Sequence, residues 1–245
     1  MTGQHTDVRW GDWLFRHRSY LPVLLLPALA ATLALPTQGG PAKSESLWQV
    51  ICLSVSLLGF ALRAWTVGTA PAGTSGRNTS RQVASRLNTD GPYSMVRNPL
   101  YLGNALMWLG LVMYARSLPL LLGIGLAFWL MYAPIIRAEE AFLRARFGPE
   151  FERWAACTPA FVPRPSRFRP ASLPFSLRNV LRREYSGFAA LLLVFGMEVI
   201  IRRRAVTGRW DVDSAWLALE GGAVVLYLVL RALKRHTRLL HVAGR

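Results

Sequence analysis

The chain is short of the residues from which disulfide frameworks and small metal sites are made. It holds two cysteines and four histidines in 245 residues. Cys52 falls inside an apolar block and Cys157 in a polar stretch, so a bridge between them is implausible, and no Cys/His spacing indicates a structural zinc site. Acid is scarce too: 13 Asp and Glu stand against 29 Lys and Arg, a formal net charge of +16. Charged residues make up only 17% of the chain while 52% is hydrophobic. A soluble domain carries about 25% charged residues, so that class is disfavoured. A basic soluble chain would point to nucleic acid, but the aromatics here lie within or at the ends of apolar blocks and do not interleave with the arginines. Nucleic acid is therefore not expected as a partner; a bilayer and its lipids are.

What is present is a set of six apolar blocks, at about 20–35, 47–65, 100–115, 118–136, 188–201 and 215–233. A bilayer core needs roughly 20 apolar helical residues. The second, fourth and sixth blocks meet that length, the first and third fall a little short, and the fifth is the shortest. The pattern predicts an all-α integral membrane protein of five to six transmembrane helices. A cleaved signal peptide is the alternative for the first block, since Ala-Leu-Ala stands at 28–30, but the polar leader before it is long for that role. We divide the chain into N-terminal membrane helices (1–72), a core holding a loop, a membrane hairpin and a helix beyond it (73–165), and a C-terminal extension with one or two further membrane helices (166–245).

Arginine distribution predicts the orientation. With the amino terminus, and so Arg9, Arg16 and Arg18, in the cytosol, Arg77, Arg81, Arg86 and Arg97 are also inside, as are the long segment 137–186 and the tail with Arg231, Lys234, Arg235 and Arg238. The outer links then hold little beyond Lys43 and Arg116, which obeys the positive-inside rule. Arg202, Arg203, Arg204 and Arg209 break the rule: either the fifth block does not cross fully, or these residues meet an acidic partner such as lipid phosphate.

The most informative stretch is Gly91-Pro-Tyr-Ser-Met-Val-Arg-Asn-Pro-Leu-Tyr-Leu-Gly103. Asn98-Pro99 reads as an N-cap followed by proline at the first helical position. The helix start then presents its free N–H groups and positive dipole end to the cytosol, where an anion is stabilised. Arg97 adds charge beside it, Gly91-Pro92 turns Tyr93 back over it, and Tyr101 lies in the first turn. Gly103 and Gly110 share a face and permit close helix packing. A capped membrane helix with a charged flank would look the same. Glu139 and Glu140 sit about 100° apart on a helix, so only one can face a given site. We assign Glu139 to a ligand and Glu140 to a surface ladder with Arg137 and Arg144. Glu198 and Glu220 are ionisable groups inside apolar blocks, which calls for a partner or a function. Glu198 is expected to pair with Arg202 at i+4, and Glu220 is either buried structure or part of a polar lipid pocket.

These motifs, with the following Glu-Glu-x-x-Leu-x-x-x-Phe-Gly-x-Glu-Phe and Pro-x-Phe-x-Pro, resemble the isoprenylcysteine carboxyl methyltransferase and phospholipid methyltransferase family over about 77–163. The resemblance implies S-adenosylmethionine bound at the cytosolic end of the hairpin and a lipid entering sideways from the bilayer. By position it implies cofactor contacts from Ser85, Arg86, Leu87 and Asn88, from Tyr93, Arg97, Asn98, Pro99, Leu100 and Tyr101, and from Glu139. Two departures stand out. The family usually has histidine where this chain has Asn98, which cannot gain a proton near neutral pH. It also often places an arginine in the last turn of the fourth span, where this chain has Pro134, so Arg137 becomes the candidate catalytic and substrate-binding arginine, with Glu220 as a second substrate contact. No metal site is expected. An oxyanion acceptor needs no general base, and no strong base is evident, so transfer to a carboxylate or phosphate is favoured over an amine. The competing readings are a sterol-reductase-like membrane enzyme using NADPH and a non-enzymatic membrane adaptor or transporter.

Overall fold

The computed structural model describes residues 21–35, 45–74, 84–210 and 212–245. Arg9, Arg16, Arg18, Lys43, Arg77 and Arg81, on which part of the orientation argument stands, lie outside them. The described residues form an all-helical protein without a strand. A 3₁₀ turn, Leu21–Leu25, leads into α1 (Leu26–Ala34). Then follow α2 (Glu45–Thr69), the single turn α3 (Pro92–Met95), α4 (Pro99–Tyr114), α5 (Leu118–Phe147), α6 (Pro149–Cys157), α7 (Leu177–Thr207) and α8 (Ser214–His236).

Among the described residues, four helices are long and apolar enough to cross a membrane: α2, α5, α7 and α8. The fifth apolar block, which looked too short, is the centre of the 31-residue α7. Helix extends beyond the apolar run at both ends, because Ser176 caps the N-terminus by accepting from the Asn179 amide at 3.4 Å, and Gly208 (φ 74°) ends the helix only after the arginines. Arg202, Arg203 and Arg204 are thus carried to the end of the bundle away from α3 and α6. The 16-residue α4 is shorter. It forms a hairpin with α5 at Ser117, whose side chain accepts from the Leu120 amide at 3.3 Å. At that turn Arg116 adopts a positive φ of 51° and pairs with Glu45 at 3.3 Å.

The hairpin is seated on α2 by small residues. A Cβ on Gly103 would stand 2.8 Å from the Gly59 carbonyl oxygen, and a Cβ on Gly110 would overlap Ser56 and the Cys52 carbonyl. Backbone therefore meets backbone, the packing available where no hydrophobic effect drives helices together. At the far end α1, α2, α4 and α7 share a core of Leu33, Cys52, Tyr114 and Phe195. Cys52 and Cys157 are both free thiols.

Of the two intramembrane acids, one departs from expectation and the other takes the buried, structural one of its two alternatives. Glu198 is 3% exposed, and neither carboxylate oxygen has a hydrogen-bond partner among the described residues, so the pairing with Arg202 is not made. The arginine sits one turn nearer the helix end, where a long side chain can reach out of the apolar layer. Glu220 presses against Gly196 of α7, where a Cβ would overlap its carboxylate. It packs α8 onto α7 and does not line the cavity described next.

Candidate active site

The ends of α2, α4, α5 and α7 meet α3 and α6 around one cavity of about 670 Å³. Its floor is built by the 91–103 motif. Gly91 (φ 58°) makes the turn, and its amide donates to the Arg169 carbonyl at 2.9 Å. The Ser94 hydroxyl donates to the Gly91 carbonyl at 2.6 Å and accepts from the Arg169 amide at 2.9 Å. These bonds fix α3, so that Tyr93 faces the cavity. Burial raises the Tyr93 phenol well above its ordinary pKa, and the nearby Glu139 charge acts the same way. The phenol is therefore neutral and a donor at physiological pH.

Arg97 is a brace. Its guanidinium donates to Glu140 at 2.8 and 3.2 Å and to the carbonyls of Ala155 and Thr158 at 3.0 and 2.7 Å. It ties the start of α4 to the end of α6. Glu140 thereby leaves the predicted surface ladder. Arg144 turns instead to Glu152, because α6 folds back beside it at Gly148. Asn98 occupies the N-cap position of α4, yet its side chain does not cap. Its amide donates to Ala160 O at 3.1 Å and to Glu140 Oε1 at 3.4 Å. The pull of a carboxylate and a carbonyl on the same side outweighs the local cap. The amide does this structural work without a proton to exchange.

Glu139, about 100° round α5 from Glu140, lines the same cavity and accepts from the Tyr101 hydroxyl at 2.8 Å. Tyr101 in turn lies against Tyr132, with ring centroids 5.2 Å apart. Deeper in the cavity wall stands Arg63 of α2. It forms a two-pronged pair with Glu184 of α7 at 3.0 Å on each oxygen and donates to Asn104 Oδ1 at 2.7 Å. Asn104 continues the chain to the Tyr132 hydroxyl at 3.4 Å. Four helices are thus joined by one polar belt beside the cavity.

The structure brings most of the predicted site residues together. Arg86, Leu87, Asn88, Tyr93, Arg97, Asn98, Pro99, Leu100, Tyr101 and Glu139 all line the cavity. Ser85 does not: its hydroxyl and amide are engaged by the Ala72 and Gly73 carbonyls at 3.2 Å. Arg137 is exposed on α5 and does not line the cavity, because it is two positions, about 200°, from Glu139. The arginines in the cavity wall besides Arg86 and Arg97 are Arg63 and Arg183. Arg63 could have been found from sequence as a charge inside an apolar block. Glu184 and Arg183 could not, since they stand in a charged run that reads as an ordinary membrane flank.

Above the polar belt the cavity becomes apolar. Met107, Trp108 and Leu111 of α4 face Ala190, Leu191 and Val194 of α7, with Val23 and Leu26 closing a third side. Near α6, Leu87, Tyr93, Leu143 and Trp154 form a separate apolar recess. One space therefore holds a charged pole, an aromatic recess and a groove at membrane depth.

The model of the phospholipid methyltransferase family matches residues 48–150, the span from α2 into α6 that contains this floor. Over 164 residues the chain is 37% identical to the cobalt-zinc-cadmium resistance protein CzcN of Cupriavidus metallidurans, covering 66% of this chain and 70% of that one. The chain belongs to the phospholipid methyltransferase family. Another relative is the nickel-cobalt-cadmium resistance protein NccN of Alcaligenes xylosoxydans xylosoxydans, 39% identical over 128 residues, or 52% of this chain and 60% of that protein. The protein-S-isoprenylcysteine O-methyltransferase of Schizosaccharomyces pombe is 32% identical over 124 residues, 48% of this chain and half of that enzyme. No solved structure matches the chain. The family and the yeast relative support a membrane methyltransferase. As in the rest of the family-matched region, Arg63, Asn104 and Glu139 fall inside the match, whereas α7 and α8 lie beyond it.

Proposed function

We propose that this protein transfers a methyl group from S-adenosylmethionine to an oxyanion, carboxylate or phosphate, on a membrane lipid head group. The observation that carries the reading is the continuity of one cavity from the Tyr101–Glu139 pair to an apolar groove between α4 and α7. A water-soluble cofactor and a lipid can meet there without either leaving its own medium.

The residues present fit the cofactor. The recess of Leu87, Tyr93, Leu143 and Trp154 suits an adenine ring. Glu139 suits a ribose hydroxyl or an ammonium group, and Tyr101 holds it in one orientation. The first turn of α4 leaves amides without intrahelical acceptors, which suits a carboxylate. When bound, S-adenosylmethionine supplies a methyl group already activated by its sulfonium. The chain's own task is then positioning, exclusion of water and electrostatics. An oxyanion attacks without losing a proton, so no side chain needs to act as a base. Arg97, Asn98 and Glu140 hold the floor rigid and take no part in the transfer itself.

We place the cavity end in the cytosol, where the cofactor is made, on the positive-inside pattern of the sequence. The metal-resistance names of two relatives connect with this reaction through charge. Methyl esterification of an acidic head group removes an anion that would otherwise gather divalent cations at the membrane surface. A thermal-shift comparison tests the cofactor assignment: stabilisation by S-adenosylmethionine and its demethylated product, with none by NADPH, is expected. Stabilisation by NADPH alone would move the chain to reductase chemistry.

A further inference from the structure

The segment 158–176 returns from α6 to α7 along the floor, and backbone bonds sew it to the 91–98 turn. The Gly91 amide donates to Arg169 O at 2.9 Å in an isolated antiparallel bridge, and the Arg97 amide donates to Pro159 O at 2.9 Å. In the other direction the Arg164 amide donates to Met95 O at 3.0 Å and the Arg169 amide to Ser94 Oγ at 2.9 Å. These four bonds make floor and strap one unit. Proline at 159, 163, 165, 170 and 174 keeps an α-helix from forming through the strap. None of its residues lines the cavity, so it backs the floor from outside.

The strap is both basic and apolar. From Arg153 to Arg183 the chain carries seven arginines and no acid. The acids that bound this stretch are held elsewhere, Glu152 by Arg144 and Glu184 by Arg63. Asp90 is the single acid in the facing segment 84–98. Arg169 turns its guanidinium to Thr89 O at 3.4 Å, whereas Arg164, Arg167 and Arg178 are exposed. Among them stand Val162, 75% exposed, and the exposed Phe168 and Leu177. Two tryptophans give the depth of the strap. Phe161 meets Trp129 of α5 edge-on at 6.0 Å, and Phe168 lies 5.8 Å from Trp65 of α2. Trp65 is four residues from the end of α2, and Trp129 is about two turns before Arg137, where the apolar run of α5 stops. Indole rings settle at the boundary of the apolar layer. Exposed arginines mixed with exposed apolar side chains at that depth suit a head-group layer that is anionic outside and apolar just beneath.

We propose that the strap docks on anionic phospholipid head groups of the leaflet at the cavity end, and that this docking steadies the floor through the four backbone bonds. The lipid is here a partner of the strap and not the substrate. The interaction stands apart from the methyl-transfer reading, since its test uses neither cofactor nor turnover. The full-length protein is placed in nanodiscs of phosphatidylcholine alone or with about 30% phosphatidylglycerol, whose charge attracts basic segments. Hydrogen exchange is followed at the amides of Gly91, Arg97, Arg164 and Arg169. Phosphatidylglycerol should slow all four by about tenfold, and high salt should reverse the effect. The variant Arg164→Gln/Arg167→Gln/Arg178→Gln should melt like the wild type in phosphatidylcholine and lose most of the response. Val162→Asp should reduce it too, because a carboxylate is repelled by the same surface. Equal slowing in the triple variant would trace to the local pH at a charged bilayer and overturn the proposal. Slowing at Arg164 and Arg169 with none at Gly91 and Arg97 would overturn the link to the floor. Slowing by soluble polyglutamate with none by phosphatidylglycerol would assign the strap to an acidic protein partner and overturn the lipid.

Discussion

The Tyr101 hydroxyl donates to Glu139 Oε1 at 2.8 Å, joining the first turn of α4 to α5 across the mouth of the hairpin. The bond fixes where the Glu139 carboxylate stands in the cavity wall. Tyr101→Phe should keep the fold and weaken S-adenosylmethionine by about fivefold to tenfold, the worth of one hydrogen bond. Glu139→Gln should cost more, roughly tenfold to a hundredfold, since a charge-assisted contact is lost. Isothermal titration of each variant checks both values. Equal binding by all three proteins would remove Glu139 from the site.

The Arg63–Glu184 pair makes a prediction about stability. The Glu184 side chain is 3% exposed and that of Arg63 is 18% exposed. Arg63→Met takes the guanidinium away from a buried carboxylate and should destabilise the protein by about 3 kcal/mol, the low end for breaking a buried pair. The double variant Arg63→Met/Glu184→Leu should recover most of that loss. Melting curves in detergent of the wild type, each single variant and the double variant measure the coupling.

The glycines divide into two groups by what lies before them. Gly103→Leu and Gly110→Leu should unseat α4 from α2, because each new side chain runs into backbone. Gly123 and Gly221 face open space, so Gly123→Ala and Gly221→Ala should be tolerated and gain up to about 1 kcal/mol of helix propensity. Yield of monodisperse protein and its melting temperature separate the two groups.

Much of this architecture was legible from the chain. The six apolar blocks and the Asn-Pro helix start locate α4, and the turn at Gly148-Pro149 locates the boundary between α5 and α6. The length of α7 was not legible, because hydropathy reports where a helix is apolar and not where it ends. The partners of Asn98 and Glu140 were not legible either. They come from residues 155–160, which the chain brings back only through tertiary folding. Local rules of capping and i, i+4 pairing lose there to a carboxylate and carbonyls in better positions. Arg137 was misplaced for a related reason: being near Glu139 in sequence puts it on the opposite side of the helix.

Asn98 offers the sharpest single-atom test of the floor. Its amide donates to Ala160 O and Glu140 Oε1. Asn98→Asp replaces a donor with an acceptor facing two acceptors, one of them charged. It should lower stability by about 2 kcal/mol or more and weaken the cofactor through displacement of α4. Asn98→Ser should cost less than Asn98→Asp. Melting temperature and cofactor Kd, read together, distinguish loss of the floor from loss of a direct contact.

The central claim is the reaction. Purified protein in nanodiscs made from native membrane lipids is incubated with S-adenosylmethionine carrying a radiolabelled methyl group, and the lipids are extracted and separated. The account predicts label, as an O-methyl ester, in a lipid that carries one negative charge fewer than its unmethylated form, and its loss with Glu139→Gln. A wild-type protein that binds S-adenosylmethionine yet labels no lipid fraction, or labels only amines, would contradict it.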